Sequence, residues 1–309
     1  MPSQVGRVFL VTGGTSGIGY ESAKALAAAG AQVIIVARHP ERGEAAIAGI
    51  RKETPNASIR FESLDLADLA SVHALATRLN ATLPRLDGLI NNAGIMEPPQ
   101  RDTSADGYEM QFAVNYLGHF ALTAELLPLL RKSDAPRVVT LSSIAARRGA
   151  LHFDDLQFEQ DYDPASAYQQ SKLACLMFAR ELQRRSDAQG WGLRSIASHP
   201  GVARTNLQVN NSFVRRSVMR LVLQPAARGA LPTLYAATAP DARGGGYYGP
   251  TGMMELRGPL GFARVPETAT DAQAASRLWT LSEALSATRF PSGSDRMSAS
   301  LPVVDRPSR

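Results

Sequence analysis

Arg7-Val8-Phe9-Leu10-Val11-Thr12-Gly13-Gly14-Thr15-Ser16-Gly17-Ile18-Gly19 is a short apolar run that stops at glycines and opens into a helical pattern, Ile18 to Ala29. Strand, glycine-rich turn and helix in that order predict a βα unit built to approach an anion. Glycines without Cβ atoms let the backbone turn sharply and come close to a phosphate, and the helix start offers free N–H groups and the positive end of its dipole. A tight turn with no ligand would use the same residues, so the meaning of this stretch depends on the rest of the chain.

Outward from it, β-branched runs alternate with longer helical patterns. Candidate strands are Arg7 to Val11, Val33 to Ala37, Ser58 to Leu64, Leu86 to Asn91, Arg137 to Ser142 and Arg194 to Ser198. Candidate helices are Ile18 to Ala29, Glu41 to Glu53, Ala70 to Leu83, Tyr108 to Leu130 and Ala165 to Ser186. The run Val33-Ile34-Ile35-Val36 is apolar throughout, as a strand covered by helices on both faces must be. Right-handed crossovers then give an α/β fold, a doubly wound parallel sheet in three αβα layers, with its ligand crevice at the carboxyl ends of the strands. One domain is expected over residues 1–285, carrying a small substrate-side elaboration at about 204–262 that includes the short strand candidate Tyr247-Tyr248. Residues 286–309, rich in Ser, Pro and Arg, read as a flexible tail.

Composition removes several function classes. The chain has 309 residues, 44% of them hydrophobic and 20% charged, and no apolar run of about 18 residues to span a bilayer. Its start is too short and polar for a secretory signal, so a cytoplasmic protein is expected. One cysteine, Cys175, rules out an internal disulfide, and the five histidines never fall at ligand spacing, so no metal is expected. The net charge of +5 is spread over short arginine pairs such as Arg184-Arg185, without the stripe that nucleic acid needs.

The second strand ends Val36-Ala37-Arg38, where NAD-binding sheets place a carboxylate for the adenosine ribose hydroxyls. No acid stands at Ala37, and Arg38 offers a planar cation for a 2′-phosphate, so NADP(H) is favoured over NAD(H). A surface arginine at a strand end is the plainer alternative. Gly13, Thr15, Ser16, Gly17, Ile18 and Gly19 are the candidates for the phosphates. Asp65 and Leu66, with Asn91, Ala93 and Gly94, end two further strands and are candidates for the adenine and ribose; an Asp65 that caps the next helix is the competing account.

Tyr168 and Lys172 stand at i, i+4, which places both on one helix face. A phenol ordinarily ionises near pH 10, so service as acid and base near neutrality calls for about 4 kcal/mol of preference for the phenolate, about what an ammonium ~4 Å away supplies in a partly desolvated site. Ser142 and Ser143 end a strand, so that one hydroxyl can reach the crevice. Asn115 lies in an apolar helix, where a core amide bonded to backbone is the plain reading.

Six landmarks in order, Thr12-Gly13-x-x-x-Gly17-Ile18-Gly19, Asn91-Asn92-Ala93-Gly94, Asn115, Ser142-Ser143, Tyr168-x-x-x-Lys172 and Pro200-Gly201, resemble the short-chain dehydrogenase/reductase family from about Arg7 to Thr205. Three stretches, Phe112 to Phe120, Ala167 to Ala174 and His199 to Thr205, look like its retinol dehydrogenase-like and protochlorophyllide reductase-like branch. The resemblance implies a Rossmann-type fold and hydride exchange between a nicotinamide and a carbonyl or alcohol. It further implies Tyr168 as general acid/base, Lys172 as its electrostatic partner, Ser143 as the serine on the substrate oxygen, and Asn115 as a positioner of Lys172. By the same carry-over, Tyr168, Lys172, Pro200, Gly201, Val202 and Thr205 contact the nicotinamide half of the cofactor.

The segment Asn206 to Gln224 is amphipathic and fits either a packed helix or a lid; a lid implies an apolar small-molecule carbonyl or alcohol. Ala145 to Ser166 is longer than in compact relatives and shapes either the substrate mouth or subunit pairing, which leaves monomer and homodimer both open. Two alternatives stand beside the carbonyl/alcohol oxidoreductase: a reductase of an activated C=C bond, and a non-enzymatic NADP-sensing protein.

Overall fold

The computed structural model describes residues 1–202 and 224–291. Eight strands form one sheet: β1 (Val8–Thr12), β2 (Gln32–Ala37), β3 (Ile59–Ser63), β4 (Gly88–Asn91), β5 (Arg137–Leu141), β6 (Arg194–Ser198), β7 (Tyr247–Pro250) and β8 (Leu260–Phe262). Their order is β3-β2-β1-β4-β5-β6-β7-β8. All neighbours pair in parallel except β7 and β8, which are antiparallel. Strand order reverses between β1 and β4, the switch point at which a doubly wound sheet opens its crevice.

Between the strands run α1 (Gly17–Ala28), α2 (Pro40–Glu53), α3 (Leu69–Thr82), α4 (Met110–Phe112), α5 (Gly118–Leu130), α6 (Pro164–Gln189), α7 (Ala226–Gly229), α8 (Leu231–Thr238) and α9 (Ala272–Ser286). The six parallel strands expected from β-branched runs are all present, with ends shifted by a residue or two. Their pleat explains the apolar runs. In β1, Val8 and Leu10 enter one core with α3, α5, α6 and α9, while Phe9 and Val11 enter the other with α1, α2 and α8. Each such buried side chain contributes roughly 1.5–3 kcal/mol of transfer free energy, so neither face can be left open.

Three features differ from the sequence expectation. The helix expected over Tyr108 to Leu130 is broken by a π turn at Ala113–Leu117, where the N–H of Gly118 bonds back to the Ala113 carbonyl. The antiparallel edge β8 and the helices α7, α8 and α9 add to the predicted elements. Packing also continues beyond Ser286: Phe290 is buried, with its ring centroid 4.5 Å from that of Trp279 and 5.8 Å from that of Trp191. The candidate lid at 206–223, Thr205, and residues 292–309 lie outside the described residues.

Candidate active site

The carboxyl ends of β1, β4, β5 and β6 bring the predicted residues to one edge of the sheet. At the end of β1 the chain turns through Gly13, whose φ of +65° favours glycine and whose N–H bonds the Val36 carbonyl at 2.8 Å. A Cβ on Gly19 would collide with the Gly13 carbonyl oxygen, so the turn and the start of α1 touch through backbone alone. Ser16 precedes α1 without a side-chain cap. An uncapped helix start behind a turn that opens on two glycines fits a pyrophosphate. Gly13, Thr15, Ser16, Gly17, Ile18 and Gly19 all lie in this turn.

Thr12 is the keystone beneath the loop, and it was missing from the expected set. Its Oγ1 accepts from the N–H groups of Asn92 at 2.8 Å and Ala93 at 2.9 Å. With both lone pairs occupied, its single proton goes to His119 Nε2 at 2.8 Å, closer than the Ile90 carbonyl at 3.3 Å. Nε2 is therefore the acceptor, and Nδ1 carries the imidazole proton to the Asn115 carbonyl at 2.9 Å. Burial pushes the His119 pKa down to about 4; the bond to Asn115 opposes that fall and the nearby Lys172 charge adds to it.

Asn91 is corrected. Its side chain is buried and donates from Nδ2 to Thr123 Oγ1 at 3.0 Å, pointing into the helix layer and not the crevice, while Oδ1 has no partner among the described residues. The pleat turns its neighbour instead to the loop, and Asn92 Nδ2 donates to the Thr12 carbonyl at 2.7 Å. Ala93 and Gly94 remain at the crevice. Leu66 has its side chain in the core, which leaves only its backbone for a ligand. The capping account of Asp65 fails as well: Asp68 caps α3, accepting from Ala70 and Ser71, whereas Asp65 Oδ1 accepts from Ala67 N at 2.9 Å. Arg38 is exposed at the end of β2 and forms no ion pair among the described residues.

The π turn positions Asn115. Its Oδ1 accepts from Ile95 N at 2.8 Å, and its Nδ2 donates to the Ile95 carbonyl at 3.0 Å and to Ser171 Oγ at 2.9 Å. The amide thus clamps the strand-end segment at Ile95, the backbone bonding that the plain reading anticipated. Its own carbonyl, released from the regular helix ladder, receives His119 and also Cys175 Sγ at 3.1 Å. A Cβ built on Gly94 would lie 3.0 Å from Asn115 Oδ1 and 3.4 Å from Lys172 Nζ, so the two side chains border the same small space.

Tyr168 and Lys172 lie on the second and third turns of α6, with Lys172 Nζ 5.9 Å from the Tyr168 ring centroid. Lys172 is buried, and among the described residues its only hydrogen-bond acceptor is the Leu141 carbonyl at 3.2 Å. The Tyr168 hydroxyl has no partner among them. An ammonium with unused donors beside an unpartnered phenol fits a ribose and a substrate oxygen supplied from outside the chain. Ser142 turns inward, donating to the Lys172 carbonyl at 2.7 Å, while Ser143 sits at the crevice, its Oγ accepting from Ala145 N at 3.2 Å with its proton free. After β6, Pro200, Gly201 and Val202 line the same edge, with Val202 N bonded to the Leu256 carbonyl at 2.9 Å.

Residues 7–213 match the profile of the short chain dehydrogenase family. The chain belongs to that family. Among its relatives, mouse retinol dehydrogenase 12 is 40% identical over 282 residues, covering 90% of this chain and 85% of the relative. Mouse polyprenol dehydrogenase is 40% identical over 289 residues, covering 90% and 83%. A solved Mycobacterium paratuberculosis structure, a putative uncharacterised protein, superposes with a TM-score of 0.79 at 39% identity, covering 94% of this chain and 97% of that one. A putative short chain dehydrogenase from Shigella flexneri, complexed with NADP, gives a TM-score of 0.62 at 27% identity over 79% and 96%. As a short-chain dehydrogenase of the retinol dehydrogenase-like branch, the protein is a nicotinamide-dependent oxidoreductase of alcohols and carbonyls. No helix among the described residues is long and apolar enough to cross a membrane.

Proposed function

We propose that this short-chain dehydrogenase interconverts a lipophilic carbonyl and its alcohol with NADP(H), Tyr168 exchanging the proton on the substrate oxygen. The observation that carries this reading is the Tyr168 hydroxyl, unpartnered at the crevice beside a buried Lys172 whose only acceptor among the described residues is one backbone carbonyl. The relatives named for retinol and polyprenol support an apolar substrate with a terminal oxygen and favour C=O over C=C chemistry.

The nicotinamide, when bound, supplies the hydride. The turn from Gly13 to Gly19 binds the pyrophosphate through backbone N–H groups. Arg38 pairs with the 2′-phosphate, with no carboxylate in place to repel it. Lys172 directs its free N–H groups to the ribose and holds positive charge next to the phenol, which favours the phenolate when the proton leaves. Ser143 donates to the substrate oxygen as negative charge gathers there. Asn115, by clamping Ile95, keeps the wall opposite Lys172 at fixed distance, and Pro200 to Val202 close the nicotinamide side.

The test is consumption of NADPH against a panel of carbonyls that includes all-trans-retinaldehyde and long-chain aldehydes, with product identification. Alcohol as product supports the reading. A saturated carbonyl points to C=C reduction, and NADPH binding without turnover on any member points to a sensor.

A further inference from the structure

The β7–β8 hairpin sits at the sheet edge beyond the residues assigned above, yet it is tied to both halves of the site. Glu255, between its strands, uses both carboxylate oxygens. Oε2 receives Arg147 Nη2 and, at 3.0 Å, His199 Nε2, and Oε1 accepts from Arg264 N at 2.9 Å. His199 has no exposed side-chain surface, and its Nδ1 accepts from Gly201 N at 3.2 Å, which fixes the proton on Nε2, facing Glu255. Burial disfavours the Glu255 carboxylate, but the bonds from His199 and the Arg264 backbone and the charge of Arg147 outweigh it and hold its pKa below the ordinary value.

Both side-chain partners adjoin the site. Arg147 is on the 3-10 turn Ile144–Arg148 that Ser143 caps. His199 immediately precedes the Pro200-Gly201 loop. Two more ties run in parallel: Leu256 accepts from Val202 N at 2.9 Å, and Tyr247, its ring 5.1 Å from that of His199, donates its hydroxyl to the Ser143 carbonyl at 3.2 Å. Space has been cleared for this arrangement, since a Cβ on Gly249 would collide with His199 Nε2. It also holds a costly backbone, because Met254 and Glu255 are successive non-glycine residues at φ +57° and +63°. Such a conformation persists only where its surroundings over-determine it.

We propose that Glu255 is a positioning residue that locks the serine turn and the Pro200-Gly201 loop to one another through Arg147 and His199, setting the distance between the proton-transfer and nicotinamide sides of the site. This deepens the functional reading above and rests on it for its catalytic consequence. Displacement by about 1 Å at such a site costs roughly 100-fold in rate.

The experiment uses the full chain with Glu255→Gln, which keeps size and the acceptor for His199 but loses the charge, and Arg147→Met as a second variant at a less buried position. Without substrate, amide hydrogen exchange at residues 144–148 and at Gly201 and Val202 rises together in both variants, about tenfold. Exchange at wild-type rate in either segment, in both variants, overturns the proposal. With NADPH and all-trans-retinaldehyde, kcat per folded protein falls about 10- to 100-fold while KM changes less than threefold, and the double variant loses no more than the worse single one. An unchanged kcat, with only the melting temperature lowered, assigns Glu255 a purely structural role and also overturns it. If the wild type reduces no carbonyl, the functional reading fails, and hydrogen exchange still decides the coupling.

Discussion

Thr12 Oγ1 and His119 Nε2, 107 residues apart in sequence and 2.8 Å apart in space, join the floor of the phosphate loop to the helix that carries Asn115. The bond exists only while Nε2 is unprotonated, and a proton there would face a hydroxyl whose lone pairs are already taken. The pKa near 4 lies below the usual value of 6.5, so the unfolded chain takes up this proton first as pH falls. The stability that His119 contributes is complete above about pH 6.5 and declines towards pH 4, by about 3 kcal/mol in all. Denaturant unfolding at a series of pH values is expected to show this slope, and His119→Gln to flatten it. Equal slopes in the two proteins would refute the assignment.

Tyr168→Phe removes the hydroxyl proposed to exchange the substrate proton and leaves the Gly13 to Gly19 turn untouched. Turnover is expected to fall by at least 10²- to 10⁴-fold with NADPH affinity nearly unchanged. Fluorescence titration of NADPH beside steady-state turnover separates the two effects. Lys172→Met, by contrast, is expected to weaken both, since its ammonium is proposed to serve ribose and phenol together.

Arg38→Asp replaces the cation at the end of β2 with the carboxylate that prefers ribose hydroxyls. Loss of a charge-assisted pairing of about 1.5–3 kcal/mol predicts a roughly 10- to 100-fold drop in NADPH preference, measured as the ratio of kcat/KM for NADPH and NADH. A ratio that does not move would leave Arg38 an ordinary surface residue.

Phe290→Ala opens a hole among Trp279, Trp191, Phe178 and Phe120, all within 6.5 Å of its ring. A cost of about 3–5 kcal/mol is expected from chemical denaturation. A change below about 1 kcal/mol would mean that the segment after α9 adds nothing to the core.

The parallel strands were legible because burial on both faces leaves an unbroken apolar run, as in Val33 to Val36. β8 left no such trace, since Leu260-Gly261-Phe262 is short and largely exposed and takes its place from pairing with β7. Arg38, Tyr168, Lys172 and Ser143 could be named as candidates from the sequence because strand ends and helix spacing are local features. Asn91 and Asn92 show the limit: the motif names both, but only the pleat says which one faces the loop. The cap of α3 was not read from the sequence: Asp65 was weighed for it as an alternative, and Asp68, three residues on, takes that place. The π turn at Asn115 is a backbone event with no residue signature. The partnerships of His119 with Thr12 and of His199 with Glu255 span 107 and 56 residues, so no pattern of spacing announces them.

Cys175 is the chain's single thiol, and it is closed between α6 and the π turn with its Sγ on the Asn115 carbonyl. Burial pushes its pKa up, which keeps it in the unreactive thiol form. Alkylation is therefore expected to wait on an opening of the contact between α6 and the π turn. The protein thus carries its own stopwatch: the rate at which an added thiol reagent labels this one atom counts the openings of the site, without any probe being engineered in.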